Sequence, residues 1–328
     1  MRQAEDLCRV EARGYSSGSD RIVAPKEILF LVNPQADRGR AEHIDWQKVI
    51  ASLGAPCRVV MAPSAEDALL HATQFCLSGG EVLVVAGGDG SVHAVLPALV
   101  HSPTALALLP LGTSNVLARE LGYPLGRRAL QGCLQALQAG EVRQMDVGIV
   151  NGRPFALMAS TGFDAYVLPR VPEELKKRWG VFAFIWTGLR ELRSYQPTRY
   201  RVSVGAERQE IEAVLLVVSN TSRYGWFTVI APSALTDDGE LDIVWFPADA
   251  RWRRKMWRVL WDVFWGKSGR CPHLCFARAK SVRVEAFSAQ FVQCDGELVG
   301  ETPMDVHVLP RALRVIAASP PAPSRNAV

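Results

Sequence analysis

At 328 residues the chain has room for two cored domains or one large one, and 48% hydrophobic with 21% charged residues describes a globular protein, not a disordered one. No stretch approaches the roughly 18 uninterrupted apolar residues of a membrane-spanning helix, the longest candidate being the 11 residues of "WGVFAFIWTGL" from Trp179. The net charge is only +4, yet residues 249–283 hold ten Lys/Arg against two Asp, so that segment carries +8, the rest −4, and an anionic surface or partner is implied.

Residues 1–24 contain acids and no apolar h-region, so they read as a disordered lead-in and not as a signal peptide. Strand and helix patterns then alternate. "EILFLVNP" predicts a strand, and "RGRAEHIDWQKVIASLG" a helix ending at Gly54. "CRVVMA" is a strand and "SAEDALLHATQFCLSGG" a helix with Ser64 as N-cap and Gly79 at its end. "EVLVVAGG" leads to a helix from Ser91, and "ALALLPLG" to a helix opening at Ser114. Such alternation with apolar strands predicts a parallel sheet covered on both faces, with ligands at the carboxyl ends of its strands. The loops at Asn33, Gly87 and Gly112 lie at those ends.

Beyond about Met145 the pattern becomes strands joined by turns, which predicts a β-rich antiparallel sheet or sandwich. Helical insertions interrupt it near 172–194 and 251–266. The expected organisation is an α/β domain at 25–145, a β-rich domain at 146–316, and a flexible Pro/Ala-rich tail at 317–328. Seven scattered Cys suit a reducing cytoplasm. "CPHLC" (Cys271, His273, Cys275) is at most half a zinc site, because no second Cys/His pair lies nearby.

The chemistry-bearing stretch is Gly87-Gly88-Asp89-Gly90-Ser91, which follows a strand and opens a helix. Bare backbone there lets amide N–H groups approach phosphate, and the helix N-terminus favours negative charge. No Lys follows the glycines, so this is no Walker A loop; nor is it a G-x-G-x-x-G fingerprint. Alone it could be a simple turn capped by Ser91. It is joined, however, by Gly112-Thr113-Ser114-Asn115 on the next strand and by Asn33-Pro34 on the first. The Asp-Gly pairs of "LTDDGELD" and "CDGEL" are, taken singly, hairpin turns.

Together "NPQADRG", "GGDGS", "PLGTSNVLARELGYP", "ASTGFDAYV", "APSALTDDGELDIVWF" and "QCDGELV" resemble, in order, the diacylglycerol kinase and sphingosine kinase catalytic family, bacterial lipid kinase type. The resemblance runs over roughly residues 26–316. It implies an α/β nucleotide domain akin to NAD kinase and phosphofructokinase, then a β-rich domain, with ATP in the cleft. Asn33, Gly87, Gly88, Asp89, Gly90, Ser91, Gly112, Thr113 and Asn115 would form the ATP site. A structural Mg²⁺ would be held by Asp238 with main-chain oxygens of Leu235 and Glu240, and by Asp146 through water. Glu297 would accept the proton of the substrate hydroxyl, with Asp295 beside the metal and phosphates. Three departures stand out: Ala36-Asp37 replaces the usual Ser-Gly, Ala62 replaces a Thr, and Ser91 replaces a Thr. Asp164 lies near the region that contacts lipid head groups in sphingosine-type relatives, or else is a structural turn residue.

The expected activity is ATP-dependent phosphorylation of diacylglycerol or a related lipid alcohol. NAD kinase, which shares G-G-D-G, and a non-catalytic nucleotide or lipid sensor are the alternatives. "RWRRKMWRVLWDVFW" predicts a helix with Arg251, Arg254, Lys255 and Arg258 on one face and Trp252, Met256, Val259 and Val263 on another. Trp257, Trp261 and Trp265 run down its flank. It would either lie on anionic lipid or pack into the core with a solvated basic side. Residues 179–186 could form a second apolar lip. The implied location is cytoplasmic, peripheral to the inner face of the membrane. No nucleic-acid partner is expected, and a homodimer is possible.

Overall fold

Four strands, β1 (Ile28–Val32), β2 (Cys57–Met61), β3 (Val82–Gly87) and β4 (Ala105–Pro110), pair in parallel in the order β2-β1-β3-β4. Every residue of β1, β3 and β4 is buried, as near-continuous apolar runs covered on both faces require. β2, at the sheet edge, is half-exposed. The computed structural model describes residues 22, 25, 27–172, 174–175, 179–225 and 228–318. The predicted lead-in and tail fall almost wholly outside the described residues.

The connecting helices are α1 (Trp46–Leu53), α2 (Ala65–Leu77), α3 (Asp89–Leu99), α4 (Val116–Glu120) and α5 (Ala129–Ala139). Ser64 caps α2 by accepting from the Asp67 N–H at 3.1 Å. The expected single helix after β1 is instead two pieces: a 3-10 segment at Ala36–His43, then α1 capped by Asp45. α3 starts two residues earlier than its sequence suggests, at Asp89, and α4 two residues later, at Val116.

The remaining chain is mainly antiparallel: β5 (Val142–Val150), β6 (Arg153–Phe155), β7 (Met158–Gly162), β8 (Thr198–Val204) and β9 (Glu207–Ser219), with the short hairpin β10 (Arg223–Tyr224) and β11 (Thr228–Val229). These are followed by β12 (Leu241–Pro247), β13 (Cys275–Ala279), β14 (Ser281–Ala286), β15 (Phe291–Cys294), β16 (Glu297–Glu301) and β17 (Met304–Ile316). The long final strand pairs antiparallel with β5 and β14, and its end runs parallel to β4 at Val315↔Leu106. One hydrogen-bonded path therefore runs β16-β15-β7-β9-β8-β14-β17-β4-β3-β1-β2. Two apolar cores form: one includes the parallel sheet and its helices, the other sits among the antiparallel strands around Phe155, Tyr200, Leu216 and Met304.

The helical insertions are α6 (Phe163–Val167), α7 (Val181–Glu191) and α8 (Trp252–Phe264). On α8 the face carrying Trp252, Met256, Val259 and Val263 is buried, while Trp257, Trp261 and Trp265 are exposed. The expectation of core packing holds for the first face, and the other is exposed. No helix among the described residues is long and apolar enough to cross a membrane.

Candidate active site

The glycine-rich loop after β3, Gly87 to Ser91, and the loop after β4 pack backbone to backbone. A Cβ on Gly112 would lie 2.4 Å from Gly88 Cα, and one on Gly88 would lie 3.0 Å from Gly112 Cα. Only hydrogen fits between them, which explains a glycine at each position. Asn115, buried and left-handed at φ 48°, ties its own loop: its Oδ1 accepts from the Gly112 N–H at 2.9 Å, and its Nδ2 donates to the Gly112 carbonyl at 2.6 Å. Asp89 reaches across to the N-terminus of α4, accepting from the N–H groups of Val116 (3.0 Å) and Leu117 (3.1 Å). Burial pushes its carboxyl up, against the pull of those two bonds, and the nearby charge of Asp295 adds to the rise. Asp89 therefore orders the second loop rather than pointing free into solvent.

At the end of β1, Asn33 donates from Nδ2 to the Ser91 hydroxyl at 3.3 Å and turns its own loop by accepting from the Gln35 N–H at 2.9 Å. A cleft of about 200 Å³ opens beside this contact, lined by Asn33, Gly90, Ser91, Ala62, Ser64 and, from the far end of the sequence, Glu297. None of its described lining residues is basic. A Cβ on Gly90 would meet nothing within 4 Å, so the loop backbone faces open space there. Thr113 is exposed on the neighbouring loop, against Gly180 at the start of α7.

Asp295 and Glu297, two residues apart, have unlike surroundings. The Asp295 side chain is 3% exposed and accepts from three consecutive N–H groups, Ala156 at 2.8 Å and Leu157 and Met158 at 3.0 Å each. Left-handed backbone at Asp295 (φ 48°) and Gly296 (φ 91°) then reverses the chain, leaving Glu297 exposed on the cleft. The turn is also held by Gln293, which accepts from the Gly296 N–H at 2.9 Å and donates to Ser160 (2.5 Å) and Asp164 (3.2 Å). Asp164 is wholly enclosed, with Tyr224 donating to it at 2.9 Å and Ser160 also bonded to it; it is the hub of a buried network under this turn.

His93, which sequence reasoning passed over, sits one turn along α3 from Asp89. Its Nδ1 lies 3.5 Å from Asp295 Oδ2, and its Nε2 lies 4.0 Å from Cys294 Sγ. Burial works to lower its pKa, but the carboxylates of Asp295 and Glu297 outweigh that and hold the imidazole above its ordinary value. The i+4 spacing from Asp89 was the available signal, since it places both on one side of α3.

The second acidic group lies on the β12 side. Asp146 is buried and accepts from the N–H groups of Gly239 and Arg311, both at 2.6 Å. Its carboxyl is pushed up first by burial, with repulsion from Asp238 and Asp237 adding to it. Asp238 accepts from the Glu240 N–H at 3.1 Å and pairs with Arg278, whose guanidinium also reaches Glu240 and Asp242 at 3.3 Å each. Three carboxylates, Asp238, Glu240 and Asp242, thus share the Arg278 guanidinium, and the charges of Asp237 and Asp238 also act on Asp146. The excess of negative charge and the hard oxygen donors suit a Mg²⁺. No three His, Cys, Asp or Glu side chains converge as metal ligands among the described residues, so such an ion would rely on main-chain oxygens as well.

Residues 27–150 match the diacylglycerol kinase catalytic domain, and residues 157–317 match the YegS C-terminal NAD kinase beta sandwich-like domain. A Pseudomonas aeruginosa protein named "Probable lipid kinase YegS-like" is 34% identical over 88% of this chain and 89% of its own length. A Mycobacterium tuberculosis protein named diacylglycerol kinase is 29% identical over 92% of this chain and 98% of its own. The chain spans about half the length (55%) of an uncharacterized Synechocystis protein that is 28% identical over 73% of this chain. A crystal structure of a diacylglycerol kinase from Bacillus anthracis shares the fold with a TM-score of 0.71 at 22% identity, covering 90% of this chain and 98% of that one.

Proposed function

The chain belongs to the diacylglycerol kinase catalytic family of lipid kinases, and from that premise we propose that it transfers the γ-phosphoryl group of ATP to the hydroxyl of diacylglycerol or a related lipid alcohol. The observation that carries this reading is the single cleft shared by Asn33, Gly90, Ser91 and Glu297. Phosphoryl transfer to an alcohol requires held phosphates, a positioned hydroxyl and an acceptor for its proton.

In this reading the backbone N–H groups of Gly88, Gly90 and Thr113 face the phosphates, with Asp89 and Asn115 holding the two loops at fixed separation. Glu297 takes the hydroxyl proton onto its carboxylate. Asp295 does not touch the reacting atoms; it fixes the turn from which Glu297 projects. Asp238, with main-chain oxygens of Leu235 and Glu240 and with Asp146 through water, would hold Mg²⁺, which supplies positive charge where no lysine does. The lipid substrate places the enzyme at a membrane surface, peripheral to its cytoplasmic face.

The test is transfer from γ-labelled ATP to a panel of diacylglycerol, ceramide, sphingoid bases and NAD in mixed micelles. Label in a lipid supports the proposal. Label in NAD and in no lipid overturns it, as does ATP binding with transfer to nothing, the outcome for a sensor.

A further inference from the structure

Glu297, the proton acceptor of the proposed reaction, opens an edge strand. β16 ends the hydrogen-bonded path and pairs with β15 alone among the described residues, across a register shift between Val292 and Gln293. An irregular ladder on one side bends a strand more than it fixes it. The turn that aims Glu297 is held by side chains instead. Asp295 secures one limb of that turn by accepting from the N–H groups at 156–158. The other limb hangs on the Gly296 N–H, which donates to Gln293 Oε1 at 2.9 Å.

Gln293 is buried, and its amide is fully committed. With Oε1 taken by an N–H, Nε2 must face acceptors, and it donates to Ser160 Oγ at 2.5 Å and to Asp164 Oδ2 at 3.2 Å. Asp164 also accepts from the Ser160 hydroxyl, from the Tyr224 hydroxyl at 2.9 Å and from the Ala165 N–H at 2.7 Å. A carboxylate offers about four acceptor sites, and these donors fill them, so Asp164 works inward on the turn and has none left for a lipid head group. Tyr224 is itself tethered. Just before it, Ser222 Oγ donates to Glu120 at 3.1 Å, and the Arg223 guanidinium lies 3.5 Å from the same carboxylate. Glu120 ends α4, whose first N–H groups are the ones Asp89 accepts from. A continuous chain of polar contacts therefore leads from the glycine-rich loop after β3 to Gly296, the residue before Glu297.

We propose that Tyr224, Asp164 and Gln293 are positioning residues that set where Glu297 stands relative to the phosphate-binding loops, a role that rests on the lipid-kinase reading above. None of the three touches the reacting atoms. A general base must stand within hydrogen-bond reach of the hydroxyl it serves, and a misplacement of about 1 Å can cost about a hundredfold in rate. A network that only stabilised the fold would act on turnover whatever side chain position 297 carried. A positioning network acts through the carboxylate there and through nothing else.

The test uses Tyr224→Phe, which deletes one donor to Asp164 and keeps the ring, and Gln293→Leu, which removes the link to Gly296. Both should speed amide hydrogen exchange in the peptide containing Gly296. Both should lower kcat for lipid phosphorylation about tenfold or more and leave the KM for ATP within about twofold of wild type. In a Glu297→Gln background, where the acceptor is already gone, neither should lower the residual turnover further. Unchanged exchange at Gly296 in both variants would overturn the proposal. So would an equal fall in kcat in the two backgrounds, or faster exchange at wild-type kcat. If Gln293→Leu does not fold, Tyr224→Phe alone decides among these outcomes. A wild-type protein that phosphorylates no lipid, while exchange at Gly296 responds as expected, would count against the kinase reading alone.

Discussion

Asp295 and Glu297 should respond in opposite ways to the same chemical change. In Asp295→Asn one oxygen remains, able to accept from Leu157 and Met158, but the new amide N–H₂ confronts the Ala156 N–H. A hydrogen bond to a buried charge contributes about 1.5–3 kcal/mol and a neutral one about 1. Losing one charge-assisted bond and weakening two others comes to about 3–5 kcal/mol, and a fall in melting temperature of about 5–10 °C or more. Glu297→Gln changes an exposed side chain and should shift stability by less than about 0.5 kcal/mol. If Glu297 is the general base, that variant loses about 10²–10⁴ in turnover. Thermal melts and ATP-to-lipid transfer assays on both variants separate the two effects. The division of roles fails if Asp295→Asn melts with the wild type, or if Glu297→Gln keeps more than about a tenth of wild-type turnover.

Gly112→Ala, which would drive a Cβ to 2.4 Å from Gly88 Cα, should cost about 1–3 kcal/mol and raise the KM for ATP. Gly90→Ala points into open space and should melt as the wild type does; an unchanged ATP KM in Gly112→Ala would argue against paired phosphate loops. His93 has a pKa held above its ordinary 6.5, so its contribution to stability is complete below that value and lost as pH rises through the higher folded-state value. The melting-temperature gap between wild type and His93→Asn should therefore narrow as pH rises through and above 6.5, and a pH-independent gap would refute the contact with Asp295. Mg²⁺ at a hundredfold excess over its Kd should stabilise the wild type by about 2.7 kcal/mol but not Asp238→Asn; equal melts with Mg²⁺ and with chelator would remove the proposed ion.

The parallel half of the fold was legible because buried strands with helical crossovers leave a strong pattern: β1, β3 and β4 are unbroken apolar runs, each closed by a glycine or an Asn-Pro turn. Helix starts were less so. Ser91 looks like a cap, but Gly88 occupies that position in α3, and the nearby carboxylate of Asp89 is spent on the neighbouring helix. Nothing in local sequence reports a bond between residues 27 positions apart. The α8 helix shows a different limit. Its periodicity places Trp252, Met256, Val259 and Val263 on one face and Trp257, Leu260, Trp261 and Phe264 on another, both apolar. Period alone cannot say which of two such faces meets the core.

The missing lysine of the phosphate loop has a structural counterpart in how the cleft is assembled. A Walker loop carries its own cation, so one strand and one helix make most of the site. Here the loops after β1, β3 and β4 contribute backbone and small polar groups, and the candidate base arrives on β16. What sets its position is pairing at long range: Asp295 clamps the N–H groups at 156–158, β15 pairs with β7, and β17 returns to lie between β14 and β4. His93 spans the gap from the helix that opens at the phosphate loop to that clamp. A cleft of this kind needs segments far apart in sequence folded together before it is complete, and Asp295, buried and bonded to three consecutive N–H groups, is the residue on which that dependence concentrates.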